Sequence, residues 1–186
     1  ILIINIPPKL RAGIESNYVS RIERILEQVK KHNIKKVLYV SSTSVFPDDN
    51  LEYDENKVPI PYSSTSKQLI EAENLVKNAA YFSSTIIRFG GLIGENRHPV
   101  TYMSAKDKEV ENPCAPINLI HLEDCIGLIF SIIIQEKWGF IFHGVSPFHP
   151  SKKEYYSNEA KKRGLEVRFL NDQISWGKKV NSNLTL

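Results

Sequence analysis

The sequence predicts an α/β fold, a mostly parallel sheet with helices on both faces, and three observations predict it. Short continuous apolar runs recur at ILIINI (1–6), KKVLYVSS (35–42), STIIRF (84–89) and GFIFHGV (139–145). Such runs mark strands covered on both faces. Between them lie segments whose apolar residues recur at three- and four-residue steps, and strands alternating with helices imply βαβ crossovers. Lastly, a hydroxyl cluster at 41–44 and glycines at 90–94 each follow a strand. Both are thereby expected on the carboxyl rim, where open parallel sheets take their ligands.

In order along the chain, ILIINI reads as a first buried strand, broken by PPKLRAG. Ile14, Tyr18, Ile22, Ile25, Leu26 and Val29 then share one helical face, which predicts a helix over 14–32. KKVLYVSS is the next strand. Residues 47–64 are polar and Pro-rich, a loop of a length that is usually functional or mobile. Leu69, Ala72, Leu75, Val76 and Ala79 predict a helix over 65–79, and STIIRF a strand. The Gly-rich stretch from 90 and the residues to about 115 read as irregular. INLIH (117–121) is a short strand. LEDCIGLIFSIIIQ (122–135) is apolar on nearly every side and predicts a helix buried between layers. After the GFIFHGV strand, Ser151 and Glu154 have capping-box spacing and open a helix that stops near Gly164. EVRFL (166–170) reads as a last strand.

Composition narrows the function classes. An apolar fraction of 41% supports a true core, and 24% charged residues of mixed sign leave a net charge of only +3. Lys30, Lys31, Lys35 and Lys36 read as a solvated helix end and turn, since a nucleic-acid footprint needs a concentrated basic face. No nucleic-acid partner is expected. No apolar run reaches the length of a membrane span, so no membrane partner is expected. Cys114 and Cys125 show no CxxC spacing, which suggests a reducing, cytoplasmic setting. His143 and His149 lack ligand company, so no metal site is expected. The chain begins at Ile1 inside an apolar run and its one methionine is Met103, which suggests part of a longer protein.

Two loops carry the chemistry. Ser41, Ser42, Thr43 and Ser44 either cap a strand end or offer a hydroxyl to a substrate oxygen. Tyr62 and Lys67 stand at the mouth of the second helix. A nearby ammonium lowers a tyrosine pKa from its usual ~10. Tyr62 precedes Lys67 by five positions, however, and the residue four before Lys67 is Ser63, so the pair meets only if the helix starts after 63. Gly90, Gly91 and Gly94 do not make G-x-G-x-x-G, and they read as backbone passing close to a ligand or a neighbouring loop. Arg97 and His98 are candidates for holding an anionic substrate group. His121, Glu123 and Asp124 suit a helix start. No G-x-S-x-G elbow supports hydrolase chemistry.

In this order, SSTSVF, the acidic Pro-rich loop, PYSSTSK with AENLV, IIRFGGLIGENR and NLIHLEDC resemble the extended and atypical short-chain dehydrogenase/reductases, in particular their NAD-dependent epimerase/dehydratase branch, over residues 1–150. The resemblance implies a Rossmann-like sheet, N-terminally incomplete, with a small C-terminal substrate lobe. Residues 1–100 would form the C-terminal part of the dinucleotide-binding domain. Residues 101–186 would mix substrate-lobe elements with returning Rossmann elements. It implies Ser42 as the active-site hydroxyl and Lys67 as the lysine that binds the nicotinamide ribose and tunes the tyrosine. The tyrosine position itself falls on Ser63, leaving Tyr62 to substitute. Ile6, Pro7, Ser41, Phe89, Gly90 and Gly91 would border the cofactor, and Thr43, Arg97 and His98 the substrate. ILIINIPP corresponds to the fourth strand of such a fold. The Gly-rich turn for the pyrophosphate is not in the chain, so NAD or NADP binding by these residues alone is expected to be weak or absent. A homodimer through a helix bundle is an analogy only. Two functions follow: an NAD(P)-dependent epimerase, dehydratase or reductase acting on a sugar nucleotide or similar polyol or carbonyl compound, or a non-catalytic dinucleotide- or metabolite-sensing module. An interaction scaffold is a third.

Overall fold

The structure, a computed structural model, describes residues 1–8, 17–95, 97–105, 109–171 and 175–184. In chain order the elements are β1 (Leu2–Ile4), α1 (Tyr18–Lys31), β2 (Lys36–Ser42), β3 (Glu52–Tyr53), α2 (Ser64–Lys77), β4 (Ser83–Phe89) and β5 (Gly91–Ile93). There follow α3 (Pro99–Ala105), β6 (Leu119–His121), α4 (Leu122–Ile134), β7 (Ile141–Gly144), α5 (Lys152–Lys162) and β8 (Lys179–Val180). The main sheet has the order β1-β2-β4-β7, and every neighbouring pair is parallel. It is the mostly parallel sheet that the alternation of apolar runs predicts, and Rossmann-like as the resemblance implies.

Alternation along each strand divides the core in two. Ile4, Val37, Tyr39 and Ile86 face α1 and α2, meeting Tyr18, Ile22, Leu26, Val29, Leu69, Ala72 and Val76. Leu38, Ile87, Phe89 and Phe142 face the other way, onto Cys125 and Ile132 of α4. The expected helix 14–32 is described from Tyr18, and residues 14–16 lie outside the described part. Its end is set by Asn33, whose φ of 52° is left-handed, a conformation asparagine tolerates. Under α1, Tyr39 donates to the Tyr18 hydroxyl at 2.7 Å and Tyr18 donates to the Ile6 carbonyl at 3.4 Å, so two buried phenols are satisfied in series.

Several expectations are corrected. Helix α4 is not buried between layers. Cys125 and Ile132 face the sheet, but Leu122, Ile126, Phe130 and Ile134, one turn apart, are all more than half exposed because no other described element covers that side. The stretch to 115 is not wholly irregular: Gly91–Ile93 pairs in parallel with Leu119–His121, and Pro99 opens α3. Proline suits a first helical position because its missing N–H has no partner there anyway. EVRFL is not a strand. It makes one isolated bridge, Phe169 to Val110, while Leu165, Val167 and Phe169 pack on Val100, Ile117, Leu119, Tyr156 and Ala160 to form a separate small core for the C-terminal lobe. The long loop at 47–64 holds β3, which pairs with β8 far along the chain. No described helix is long and apolar enough to cross a membrane.

Candidate active site

At the carboxyl end of β2 the chain turns through one short 3-10 turn, Thr43–Val45. Ser42 caps this turn. Its Oγ accepts from the Ser44 amide at 3.1 Å and donates to Ser44 Oγ at 3.1 Å. Tyr62, at the entry to α2, donates its hydroxyl to the Ser44 carbonyl at 3.1 Å. Ser42, Ser44 and Tyr62 are thereby joined on the rim, Tyr62 through the Ser44 carbonyl, from two segments some twenty residues apart. Burial and the Asp48 carboxylate push the Tyr62 phenol above its ordinary value, so it keeps its proton at neutral pH.

Ser63 and Lys67 take other parts. Ser63 is the N-cap of α2. Its Oγ accepts from the Ser66 amide at 3.1 Å, and Ser66 Oγ accepts from the Ser63 and Tyr62 amides at 2.9 Å each. A cap of this kind is worth about 1 kcal/mol, and a tyrosine cannot supply it. Lys67 is exposed and lies 4.0 Å from Glu71, and no lysine is among the causes that move the Tyr62 pKa. The expected lowering of a tyrosine pKa by Lys67 is corrected: this phenol is raised. The helix does begin after residue 63, at Ser64, but the Tyr62 hydroxyl turns to the Ser44 carbonyl while Lys67 lies beside Glu71.

Ser41 points below the rim. It donates at 2.6 Å to Glu73 Oε1, and Arg88 donates to the same carboxylate from Nε at 3.0 Å and Nη2 at 2.7 Å. Glu73 and Arg88 are almost fully buried. Arg88 also stacks on Phe46, its Cζ 5.2 Å from the ring centre. His143 completes the cluster. Its Nδ1–H donates to the Asn181 carbonyl at 2.9 Å, so the unprotonated Nε2 faces Arg88 Nη1 at 3.5 Å. This network fixes α2, β2, β4 and β7 relative to one another immediately beneath Ser42.

The other expected site residues divide. Ile6 is half-buried against the α1 core and Pro7 is exposed at the end of β1. Phe89 is buried under α4. Gly90 and Gly91 are explained by a neighbouring strand: a Cβ on Gly90 would lie 2.5 Å from the Asn118 carbonyl oxygen, and one on Gly91 2.6 Å from the Leu119 side chain. Arg97 is exposed, and with Asn5, Val40, Phe89, Cys125, Ile126 and Ile129 it borders an apolar slot of about 300 Å³. His98 turns inward. Its Nδ1 accepts from the Val100 amide at 3.3 Å and its Nε2 meets the Tyr155 hydroxyl at 3.1 Å and Glu159 at 3.5 Å, so both nitrogens are engaged within the protein.

Burial is the largest cause lowering the pKa of both His98 and His143. Each is then neutral in the folded state where the unfolded imidazole, near 6.5, starts to take a proton. Stability from this source is complete above about pH 6.5 and falls as the pH drops toward the folded values, by up to about 1.4 kcal/mol per pH unit for each histidine. Urea midpoints between pH 8 and 5 check this. The double variant His98→Gln/His143→Gln is expected to flatten the curve.

A second space opens beside Thr43. It has a volume of about 180 Å³ and lies between the rim and the C-terminal lobe, with Asp48, Asn118, Lys152, Tyr156 and Lys178 in its wall. Of its lining, Thr43 alone is among the site residues expected from the sequence. Lys178 donates to the Phe46 carbonyl at 2.8 Å and to Asp48 at 3.0 Å, and Asn118 clamps the strand beside it through the Lys178 carbonyl and the Val180 amide. The Asn50 and Gly177 backbones join the same two segments.

Comparison with known proteins bears on this geometry. The sequence profile described as the NAD dependent epimerase/dehydratase family matches residues 13–115, more than half of the chain. Protein YeeZ of Escherichia coli strain K12 is 29% identical over 182 residues, which are 95% of this chain and 64% of YeeZ. The chain thus spans less than two thirds of that relative. Among solved structures, dTDP-glucose 4,6-dehydratase of Bacillus anthracis str. Ames, in complex with NAD, superposes with a TM-score of 0.77 at 16% identity, over 97% of this chain and 63% of that one. MoeE5 in complex with UDP-glucuronic acid and NAD gives a TM-score of 0.77 at 16% identity, over 96% and 67%. At such identities the likeness speaks for a shared fold.

Proposed function

Because the chain belongs to the NAD dependent epimerase/dehydratase family, we propose that it carries the substrate-facing side of an NAD(P)-dependent centre acting on a nucleotide sugar or a related hydroxy or carbonyl compound. The observation that carries this reading is the meeting of Ser42, Ser44 and Tyr62 at the carboxyl end of the central strands. Ser42 Oγ donates to the substrate oxygen and holds it as charge develops there. Tyr62 supplies the proton to that oxygen. Its raised pKa suits an acid that protonates a carbonyl oxygen under reduction better than a base that deprotonates an alcohol. Lys67 stands at the family's lysine position and leaves Glu71 to meet ligand hydroxyls.

The residues present fit the nicotinamide end of such a cofactor. The slot beside Asn5, Phe89 and Arg97 is lined mainly by apolar side chains, and about 300 Å³ is at the small end of ligand pockets, enough for a flat ring and not for a dinucleotide. Ile6 and Pro7 stand at the end of β1, on the same rim. Bound NAD(P) supplies or accepts the hydride. The Ser41 hydroxyl is engaged by Glu73.

The test mixes protein containing these residues with NAD(P)H and a panel of nucleotide sugars and follows nicotinamide absorbance, with calorimetry for cofactor binding. Turnover with one or more nucleotide sugars is expected. Cofactor binding without turnover across the panel would overturn the catalytic reading in favour of a sensing module, and no cofactor binding at all would favour an interaction scaffold.

A further inference from the structure

Residues 176–183 run beside the loop that separates the Ser42 turn from Tyr62. Their sequence fixes how they lie. Gly177 passes so close to the lobe that a Cβ there would stand 2.7 Å from the Ala115 Cβ. In the short strand β8, alternation turns Lys178 and Val180 inward, 12% and 0% exposed, and Lys179 outward. A lysine so enclosed is unusual and gives up much rotamer freedom to lie there. Its ammonium donates to the Phe46 carbonyl at 2.8 Å and to Asp48 at 3.0 Å. Phe46 closes the 3-10 turn of the rim: its amide donates back to the Thr43 carbonyl at 3.1 Å, while Lys178 holds its carbonyl from outside. Ser44, inside that turn, receives both the Ser42 and the Tyr62 hydroxyls. The same segment fastens the loop between. The Asn50 amide donates to the Gly177 carbonyl at 2.6 Å, Lys179 to Leu51 at 3.0 Å and Asn181 to Tyr53 at 2.8 Å. Glu55 accepts from the Asn183 amide at 3.1 Å and from the His143 amide of β7 at 3.2 Å.

We propose that residues 176–183 form a latch that sets the geometry of the Ser42–Tyr62 rim, and that Lys178 is the positioning residue through which the latch acts. This role rests on the functional reading above only in giving the rim a reaction to serve. Lys178 works at one remove: its bonds are to Phe46 and Asp48, and the turn carries the effect to Ser42 and Tyr62. The need for it follows from chain length. Residues 47–61 join the turn to Tyr62, and a loop of that length has many arrangements of similar energy unless something outside it selects one. Reacting groups displaced by about 1 Å lose on the order of a hundredfold in rate, so the selection matters to chemistry and not only to stability. The fastening is also separable from the core. Val180 is its one fully buried apolar anchor, joining the core that holds Val45 and Phe46. The rest is hydrogen bonds and ion pairs, among them Lys179 to Glu52 at 3.2 Å with both side chains largely in solvent. Segments held in this way open at lower free energy than the strands beneath them.

Amide hydrogen exchange of the 186-residue chain, followed by NMR, tests the latch without any substrate. In the wild type the Asn50, Lys179 and Asn181 amides of the ladder and the Phe46 amide of the turn are expected to open together, about tenfold or more above the Tyr39 and Ile87 amides of the central strands. Lys178→Met is expected to speed exchange at Ser44 and Phe46 about tenfold and to leave the central strands unchanged. Lys178→Arg, which keeps a charged donor, is expected to restore the wild-type rates. In turnover assays Lys178→Met should lower kcat about tenfold or more with the cofactor KM unchanged, again with recovery in Lys178→Arg. The latch is overturned if Ser44 and Phe46 exchange in Lys178→Met as in the wild type, or if the central strands loosen by the same factor. Faster rim exchange with an unaltered kcat overturns Lys178 as a positioning residue. Should Lys178→Met fail to fold, the wild type decides, because ladder and turn amides that open only with the central strands overturn the latch. A wild type that turns over no nucleotide sugar sinks the catalytic reading alone, and the exchange measurement still decides the latch.

Discussion

Arg88→Met is expected to cost about 3–5 kcal/mol, because it leaves the Glu73 carboxylate buried with the Ser41 hydroxyl as its one remaining partner in the network. For a domain of this size that is a fall in thermal midpoint of about 6–20 °C. The attraction between the two charges is not itself the cause. Removing both ions from water costs nearly as much as their pairing returns, whereas stranding one of them leaves that cost uncompensated. The double variant Glu73→Leu/Arg88→Met should therefore recover most of the loss. Chemical denaturation of the single and double variants checks this, and a double variant no more stable than the single would refute the account. The network also sets the spacing of α2 from the end of β2, so turnover should fall in the single variant at temperatures where it remains folded.

Tyr62→Phe is expected to lower kcat by 10²–10⁴, the usual contribution of a positioned proton donor. Ser42→Ala should cost 10²–10³, as loss of one donor to a developing oxyanion. Lys67→Ala should change cofactor KM more than kcat, since Lys67 does not face the phenol. The pH profile separates a protonated from an ionised tyrosine. With its pKa raised above the ordinary 10.0, the phenol acts in its acid form, so carbonyl reduction should hold level through neutral pH and decline only above about pH 10. A rate that instead rises with pH through 7 to 9, or survives Tyr62→Phe intact, would dismiss Tyr62 as the donor.

Much of the sheet was legible because strands buried on both faces must be apolar throughout, as VLYV and STIIRF are. The ion pair was half legible. Glu73 falls four residues after Leu69 on the apolar stripe of α2, and Arg88 interrupts an apolar strand, so each charge is out of place alone and explained by the other. Ser42 and Tyr62 were singled out through the family resemblance, but the part played by Ser63 was not, since a cap reveals itself only through the helix start it fixes. EVRFL misled because its apolar residues serve the lobe's own core without a strand beside them. α4 misled because apolar composition does not say which described element covers each side: one side meets the sheet and the other meets no described element. The cavity wall was illegible. Lys178 belongs to a polar segment with no periodicity, Asn118 sits inside the apolar INLIH run, and 130 residues separate Lys178 from Asp48.

That separation has a consequence for refolding. β3 and β8 join residues 52–53 to 179–180, 127 positions apart, and contacts so distant in sequence form late and slowly. The main sheet can therefore assemble before the cavity beside Thr43 acquires its Lys178 wall.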